Sequence, residues 1–275
     1  MSRIATFFVF MYGLLIGACQ SESALDASPP REKIVISGSS TLAPMISVMA
    51  KTFEQDHPNF RIDVQTGGSS RGINDVQLKL ADIGMVSRHL EDTDTYRAHT
   101  IAQDGVTMIV HKNNPLTSLN KNTIIAIYQK QILDWSGLTT FSGDITVISK
   151  AEGRSTLEVF LHYLGLKNSE LRPDSIIGDN EQAVKLVVNN PNAIAYVSSS
   201  TAESHIKNGS PIKTIQIDGV IPSTENVANG KFPIVRKLNL IASPSPSTAV
   251  KQFLEFCSSV QGKRLIEEFH FVPSV

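Results

Sequence analysis

Three segments of this chain share one pattern: a short β-branched strand, a loop rich in glycine and hydroxyl residues, and an amphipathic helix. The first reads IVISGSST at residues 34–41 and continues into a helical pattern. The second spans residues 60–80 around the loop GGSSRG, and the third spans residues 145–164 around KAEGRST. Strands that alternate with helices favour an α/β fold with mainly parallel sheets. Ligands of such sheets bind beyond the carboxyl ends of the strands, where all three loops fall.

These loops supply the groups that an anion needs. A helix that begins at Ser40 or Thr41 directs unpaired backbone N–H groups and hydroxyls into the space beyond the strand. The helix dipole favours negative charge at the same end. The third loop adds two cations, Lys150 and Arg154. For each loop taken alone, a serine that only caps its helix is the alternative, but the threefold repetition favours an anion site.

Composition indicates an ordinary globular protein with no global preference for anions. The chain has 275 residues, of which 41% are hydrophobic and 19% charged, enough for one large domain or two lobes. Its net charge of −1 provides no basic field, so no nucleic-acid partner is expected. The seven histidines lack the spacing of a metal site. We therefore predict neither a metal nor a cofactor.

The N-terminus predicts export. Residues 1–19 hold a short apolar run after Arg3 and end in LIGAC, which resembles a bacterial lipoprotein signal. Cys19 would be lipidated and become the new N-terminus, and residues 20–32 would form a flexible tether. An ordinary signal peptide with an incidental cysteine is the alternative. The prediction is a membrane-anchored lipoprotein of the periplasm or cell envelope, with Cys257 as a buried thiol outside any disulfide.

Further motifs follow the first two loops in chain order. They are DIGMVSR at 82–88, NP at 114–115, ILDW at 132–135, AIAYV at 193–197 and ENVANGKFPI at 225–234. Together these segments resemble the phosphate-binding proteins of phosphate ABC importers, from about residue 33 to the C-terminus. The resemblance implies a two-lobed periplasmic-binding-protein-like (type II) fold, whose lobes are joined by a hinge and close over the ligand. Lobe 1 would comprise residues 33–111 and 240–275, and lobe 2 residues 112–239.

The resemblance also implies the function and the site. The protein would be a monomer that captures inorganic phosphate in the interlobe cleft and presents it to the permease subunits of an ABC transporter, without catalysis. The ligands that it implies are Ser40, Thr41, Ser69, Ser87, Arg88, Lys150, Arg154, Ser155 and Thr156.

Two positions depart from the family pattern. Lys150 stands where many relatives carry an arginine, so the two-pronged guanidinium is lost there. Ser87 stands where well-studied relatives place an aspartate that accepts the proton of phosphate. A hydroxyl can also donate to sulfate, so another oxyanion is an alternative ligand. A sensory or surface binding protein is an alternative to a transport component.

A hydrolase is the alternative from another class. Residues 68–72 read GSSRG, which matches G-x-S-x-G between a strand and a helix, with Ser70 as the nucleophile. Asp179 and either His205 or His270 follow in the required order. However, no His-Gly-Gly motif precedes the serine to form an oxyanion hole. We therefore expect binding of an anion and not hydrolysis.

Overall fold

The computed structural model describes residues 31–90 and 96–274. The predicted signal peptide, the lipidation site Cys19 and the tether as far as residue 30 lie outside these residues and stay predictions. Within the described residues, no helix has the length and apolar character needed to cross a membrane.

Strands and helices alternate along most of the chain. The strands are β1 (Glu32–Gly38), β2 (Phe60–Thr66), β3 (Ile83–Val86), β4 (Arg97–His111), β5 (Ser118–Leu119), β6 (Thr146–Lys150), β7 (Ser175–Ile177), β8 (Ala193–Ser198), β9 (Ile212–Thr214), β10 (Gln216–Ile217), β11 (Val235–Ala242) and β12 (Val272–Pro273). The α helices are α1 (Ala43–Asp56), α2 (Ser69–Gln77), α3 (Lys121–Tyr128), α4 (Ser155–Leu164), α5 (Asn180–Asn189), α6 (Ser199–Lys207), α7 (Thr224–Ala228), α8 (Thr248–Ser258) and α9 (Val260–Glu268).

The main sheet has the strand order β2-β1-β3-β11-β4-β8-β6-β7. β1 is parallel to β2 and β3, and β6 is parallel to β7 and β8. β11 is antiparallel to β3 and β4, and β4 is antiparallel to β8. The prediction of mainly parallel sheets therefore holds for the strands that carry the loops, whereas the sheet as a whole is mixed. The sheet is mixed because of the two long central strands: β4 and β11 are antiparallel to each other and to the strands on either side.

The buried side chains form separate cores on the two sides of this centre. The core of lobe 1 draws on residues 34–102 and 238–271, and includes Phe53 packed edge-on against Phe253 at 5.5 Å. A core of lobe 2 draws on residues 106–235 and includes Phe160 stacked on Tyr196 at 4.0 Å. β4 and β11 contribute to both cores, so they are the connections between the lobes. The exact lobe boundaries at residues 111/112 and 239/240 stay a prediction.

Two local features differ from the sequence prediction. α1 begins at Ala43, two to three residues after the predicted start, because the Thr41 N–H donates to Ser39 Oγ at 3.2 Å in a turn before the helix. Residues 132–135 do not form the predicted helix. They lead into a single 3₁₀ turn, Trp135–Gly137. Asp134 is extended, and its carboxylate accepts from the Ser136 N–H at 2.7 Å. The predicted burial of Cys257 is confirmed, because the thiol lies inside the core of lobe 1.

Candidate functional site

A small cavity lies where the loops of the two lobes meet. Its wall comes from the loops that follow β1 and β2 in lobe 1 and β6 and β7 in lobe 2. The lining residues are Ser39, Ser40, Thr41, Gly68, Lys150, Arg154, Ser155, Thr156, Gly178 and Asn180. The loop after β7 is a fourth strand-loop-helix unit, which sequence reasoning did not single out. All four loops follow the carboxyl ends of their strands, so the topology brings them to one place.

Three of the described helices begin at this cavity without a side-chain cap. Among the described residues, no side chain caps α1, α2 or α4, whose N-cap residues are Leu42, Gly68 and Arg154. α5 differs, because the Asp179 carboxylate accepts from the Gln182 N–H at 2.8 Å. Backbone carbonyls already accept from some first-turn N–H groups, such as Ala43 N–H to Ser39 and Ser70 N–H to Gly153. The positive ends of the three dipoles still favour an anion at this cavity.

A chain of serine hydroxyls joins the lobes beside the cavity. Ser87 Oγ lies 2.8 Å from Ser39 Oγ and 2.6 Å from Ser155 Oγ. Ser69 Oγ accepts from the Ser87 N–H at 3.0 Å and lies 2.9 Å from Ser155 Oγ. Ser69 and Ser87 are fully buried. These hydrogen bonds place both predicted serines directly behind Ser39 and Ser155, which line the cavity.

An arginine that sequence reasoning missed lies at the centre of the site. Arg236 comes from β11, and its side chain is fully buried against Asp104 of β4, with Nη2 at 2.7 Å from Asp104 Oδ2. It also donates to Thr156 Oγ1 at 3.0 Å and to Thr41 Oγ1 at 3.1 Å. Asn180 Nδ2 donates to Thr41 Oγ1 as well, at 3.3 Å.

These donors orient the threonine hydroxyls. A hydroxyl whose oxygen accepts from Arg236 has its own hydrogen free to donate elsewhere. Thr41 and Thr156 both line the cavity, so their hydrogens can be directed to an anion there. A sequence signal for Arg236 existed, because the arginine stands two residues before the buried Leu238 on a strand and therefore shares its inward face.

Lys150 and Arg154 bring positive charge to the cavity wall. Lys150 ends β6, and its side chain is almost completely buried, with Nζ donating to the backbone oxygen of Asp179 at 2.9 Å. Burial lowers the pKa of Lys150 to about 7; Asp179 opposes this shift, and the charges of Arg236 and Arg154 add to it. Arg154 is half-buried at the N-cap of α4.

Arg88 is not part of this wall. Its Nε lies 2.8 Å from Glu158 Oε2, and its Nη1 donates to the His89 carbonyl at 3.0 Å. The side chain lines a separate groove together with Glu158, outside the small cavity. The structure thus places Arg88 outside the cavity wall, whereas the other eight predicted residues lie in or directly behind it.

The residues of the hydrolase alternative do not assemble. Ser70 Oγ donates to Glu158 Oε1 at 3.5 Å. Asp179 caps α5, and His205 Nε2 pairs with Glu181 Oε2 at 2.9 Å. His270 Nδ1 lies 3.7 Å from Glu203 Oε1. A nucleophile must be within hydrogen-bond reach of its base, and these pairings hold both histidines on other partners.

Comparison with known proteins finds the same architecture in phosphate-binding proteins. A family profile described as the PBP superfamily domain matches residues 24–260. The phosphate-binding protein PstS of Bacillus subtilis is 25% identical over 260 residues, which cover 92% of this chain and 84% of PstS.

Solved structures agree with this result. A phosphate ABC transporter substrate-binding protein of Clostridium perfringens with bound phosphate superposes with a TM-score of 0.83 at 29% identity, over 89% of this chain and 100% of that one. An ABC-type phosphate transport receptor of Vibrio cholerae superposes with a TM-score of 0.72 at 27% identity, over 87% and 99%. The predicted two-lobed fold is confirmed by this likeness.

Proposed function

We propose that this chain, which belongs to the PBP superfamily, is an extracytoplasmic binding protein that captures inorganic phosphate between its lobes for uptake by an ABC transporter. The observation that carries the proposal is the cavity at three uncapped helix N-termini, with a wall of hydroxyls, backbone N–H groups and cations. The similarity to proteins named as phosphate-binding supports phosphate as the ligand.

The chemistry of the wall fits a dehydrated tetrahedral anion. Such an anion needs many short donors from rigid elements, and helix N-termini supply them. Lys150 and Arg154 add charge-assisted hydrogen bonds, and Arg236 adds positive charge directly behind the threonines. The proposed ligand set is Ser39, Ser40, Thr41, Lys150, Arg154, Ser155, Thr156 and Asn180, with Ser69, Ser87 and Arg236 as the residues that orient it.

Capture would proceed by closure of the lobes about β4 and β11. The loops at the cavity already make contacts from one lobe to the other, through Ser155 with Ser69 and Ser87. Donors from both lobes would surround the anion, so binding favours the closed form, which the permease would recognise.

Replacement of Gly68 by alanine is expected to hinder this closure. Gly68 has φ +95°, and a Cβ at this position would lie 2.6 Å from the carbonyl oxygen of Gly153 in the opposite lobe. We expect phosphate affinity to fall by at least about tenfold, because the clash exists only when the lobes meet. Gly165→Ala is the matched control, since Gly165 has φ +74° with no atom within 4 Å of the added Cβ.

Calorimetric titration with phosphate measures the affinity of both glycine variants, and denaturant unfolding measures their stability. The two measurements separate a loss of affinity from a loss of stability. Gly165→Ala should cost about 1–2 kcal/mol of stability through its left-handed backbone. Gly68→Ala should cost about 1–3 kcal/mol, because φ +95° and ψ 161° form a conformation that essentially only glycine adopts. Only Gly68→Ala should lose affinity. Equal phosphate affinity in the two variants would contradict closure at this contact.

A lipid at the N-terminus would anchor the protein to the membrane. Cys19 would carry the lipid, and the predicted tether of residues 20–32 would connect it to the binding lobes. The protein would act as a monomer and deliver phosphate to the permease subunits. Metabolic labelling with a radioactive fatty acid tests the anchor, with Cys19→Ala as the control that should lose the label.

Isothermal titration of the purified, ligand-free protein tests the function. Phosphate should bind tightly with one site per chain, and sulfate should then be titrated into the free protein and into the complex. The absence of phosphate binding would contradict the proposal. Binding of sulfate alone would keep the fold and assign a different oxyanion, a question raised by Ser87 in place of an acidic residue.

A further inference from the structure

The buried amine of Lys150 is paired with a neutral group. Its Nζ donates to the backbone oxygen of Asp179 at 2.9 Å, and its side chain is almost completely buried. A buried ammonium is costly unless a negative partner compensates it. Lys150 also lines the cavity in which the anion is proposed to bind. An anion there would be the negative partner of the ammonium.

In the part of the chain that the structure describes, three charged side chains and one aromatic ring surround Lys150. Arg154 at the start of α4 and Arg236 on β11 are cations, and both disfavour a third positive charge. Asp179 at the start of α5 favours the ammonium, but its carboxylate also caps that helix. Tyr196 on β8 offers the face of its ring, 6.0 Å from Nζ.

The buried carboxylate of Asp104 is already occupied by other partners. Asp104 Oδ2 accepts from Arg236, and its Oδ1 accepts from Ser198 and Ser199 at 3.0 Å each. Burial and the two arginines therefore outweigh Asp179 and lower the pKa of Lys150 to about 7.

We propose that Lys150 takes up a proton from solvent when the oxyanion binds, so that the affinity of this site falls as the pH rises above neutrality. The inference rests on the proposed function, and it describes how that same site is regulated. An anion within hydrogen-bond distance favours the ammonium and therefore raises its pKa in the complex. Between the pKa of the free form and that of the complex, linkage predicts a loss of up to about tenfold in affinity per pH unit.

An arginine at this position would behave differently. Its guanidinium stays charged at every pH the protein tolerates, so binding would involve no proton uptake there. Lys150→Arg is therefore the matched variant, because it keeps the charge and removes the titration.

The test is calorimetric titration with inorganic phosphate at about pH 8.5, in two buffers that differ in ionisation enthalpy. The difference between the observed heats gives the number of protons taken up per phosphate. We expect close to one more proton for the wild type than for Lys150→Arg. We also expect wild-type affinity to fall about tenfold more than that of the variant from about pH 7 to about pH 8.5.

The two proposals fail in different ways. Equal proton uptake and equal pH profiles in wild type and Lys150→Arg would overturn the role of Lys150 while phosphate binding stands. The absence of phosphate binding by the wild type at about pH 6, where Lys150 is charged, would remove the proposed function and this inference with it. If Lys150→Arg does not fold, Lys150→Gln takes its place, and proton uptake by that variant equal to the wild type would overturn the inference.

Discussion

Replacement of Arg236 by methionine is expected to lower the free energy of unfolding by about 3–5 kcal/mol and to weaken phosphate binding by at least about tenfold. The side chains of Arg236 and Asp104 are both fully buried, so the variant leaves a buried carboxylate without its cation. Thr41 and Thr156 also lose the donor that directs their hydroxyl hydrogens towards the cavity. Denaturant unfolding followed by fluorescence of Trp135, the single and fully buried tryptophan, measures the first effect, and calorimetry the second.

The double variant Arg236→Met with Asp104→Asn separates stability from binding. Removal of both charges avoids the unpaired carboxylate, so at least half of the lost stability should return. Phosphate affinity should stay low, because the threonines still lack their donor. A single variant as stable as the wild type, or a double variant with restored affinity, would contradict the role given to this ion pair.

Replacement of Arg154 by alanine is expected to weaken phosphate binding by about 1.5–3 kcal/mol, the scale of a hydrogen bond to a charged group. This loss corresponds to about tenfold to a hundredfold in the dissociation constant. Arg154 lines the cavity at the N-cap of α4, where its charge adds to that of the helix dipole. Calorimetry with phosphate measures the change.

Arg172→Ala is the matched control in the same lobe. Arg172 is exposed, and its Nη1 donates to the carbonyls of Ser169 and Leu171 at 2.6 and 2.9 Å, away from the cavity. We expect its phosphate affinity to match that of the wild type. If Arg154→Ala also bound phosphate with wild-type affinity, Arg154 would have to be removed from the ligand set.

The parts of the site that are local in sequence could be predicted. The strand, loop and helix of each unit are neighbours along the chain, so the pattern itself indicates which residues stand at a helix N-terminus. Ser40, Thr41, Ser155 and Thr156 all lie at the cavity for this reason. Even so, α1 begins later than expected, because a turn at Ser39 competes with the first helical residues.

The parts that depend on long-range pairing could not be predicted. Arg236 meets Asp104 across 132 residues of sequence, and only the antiparallel pairing of β11 with β4 brings them opposite each other. The periodicity of β4 or of β11 likewise does not show whether the strand runs parallel or antiparallel to its neighbours. The place of Arg88 depends on a long-range contact as well, because its side chain pairs with Glu158 of α4 outside the cavity.

A crystal structure of the protein with phosphate tests the central claim most directly. We expect one tetrahedral anion in the cavity between the lobes, within hydrogen-bond distance of Thr41, Arg154 and Ser155, with Arg236 still bonded to Asp104 behind the threonines. Arg88 should remain paired with Glu158, away from the anion. A phosphate bound at Arg88, or a cavity that stays empty at saturating phosphate, would contradict the account.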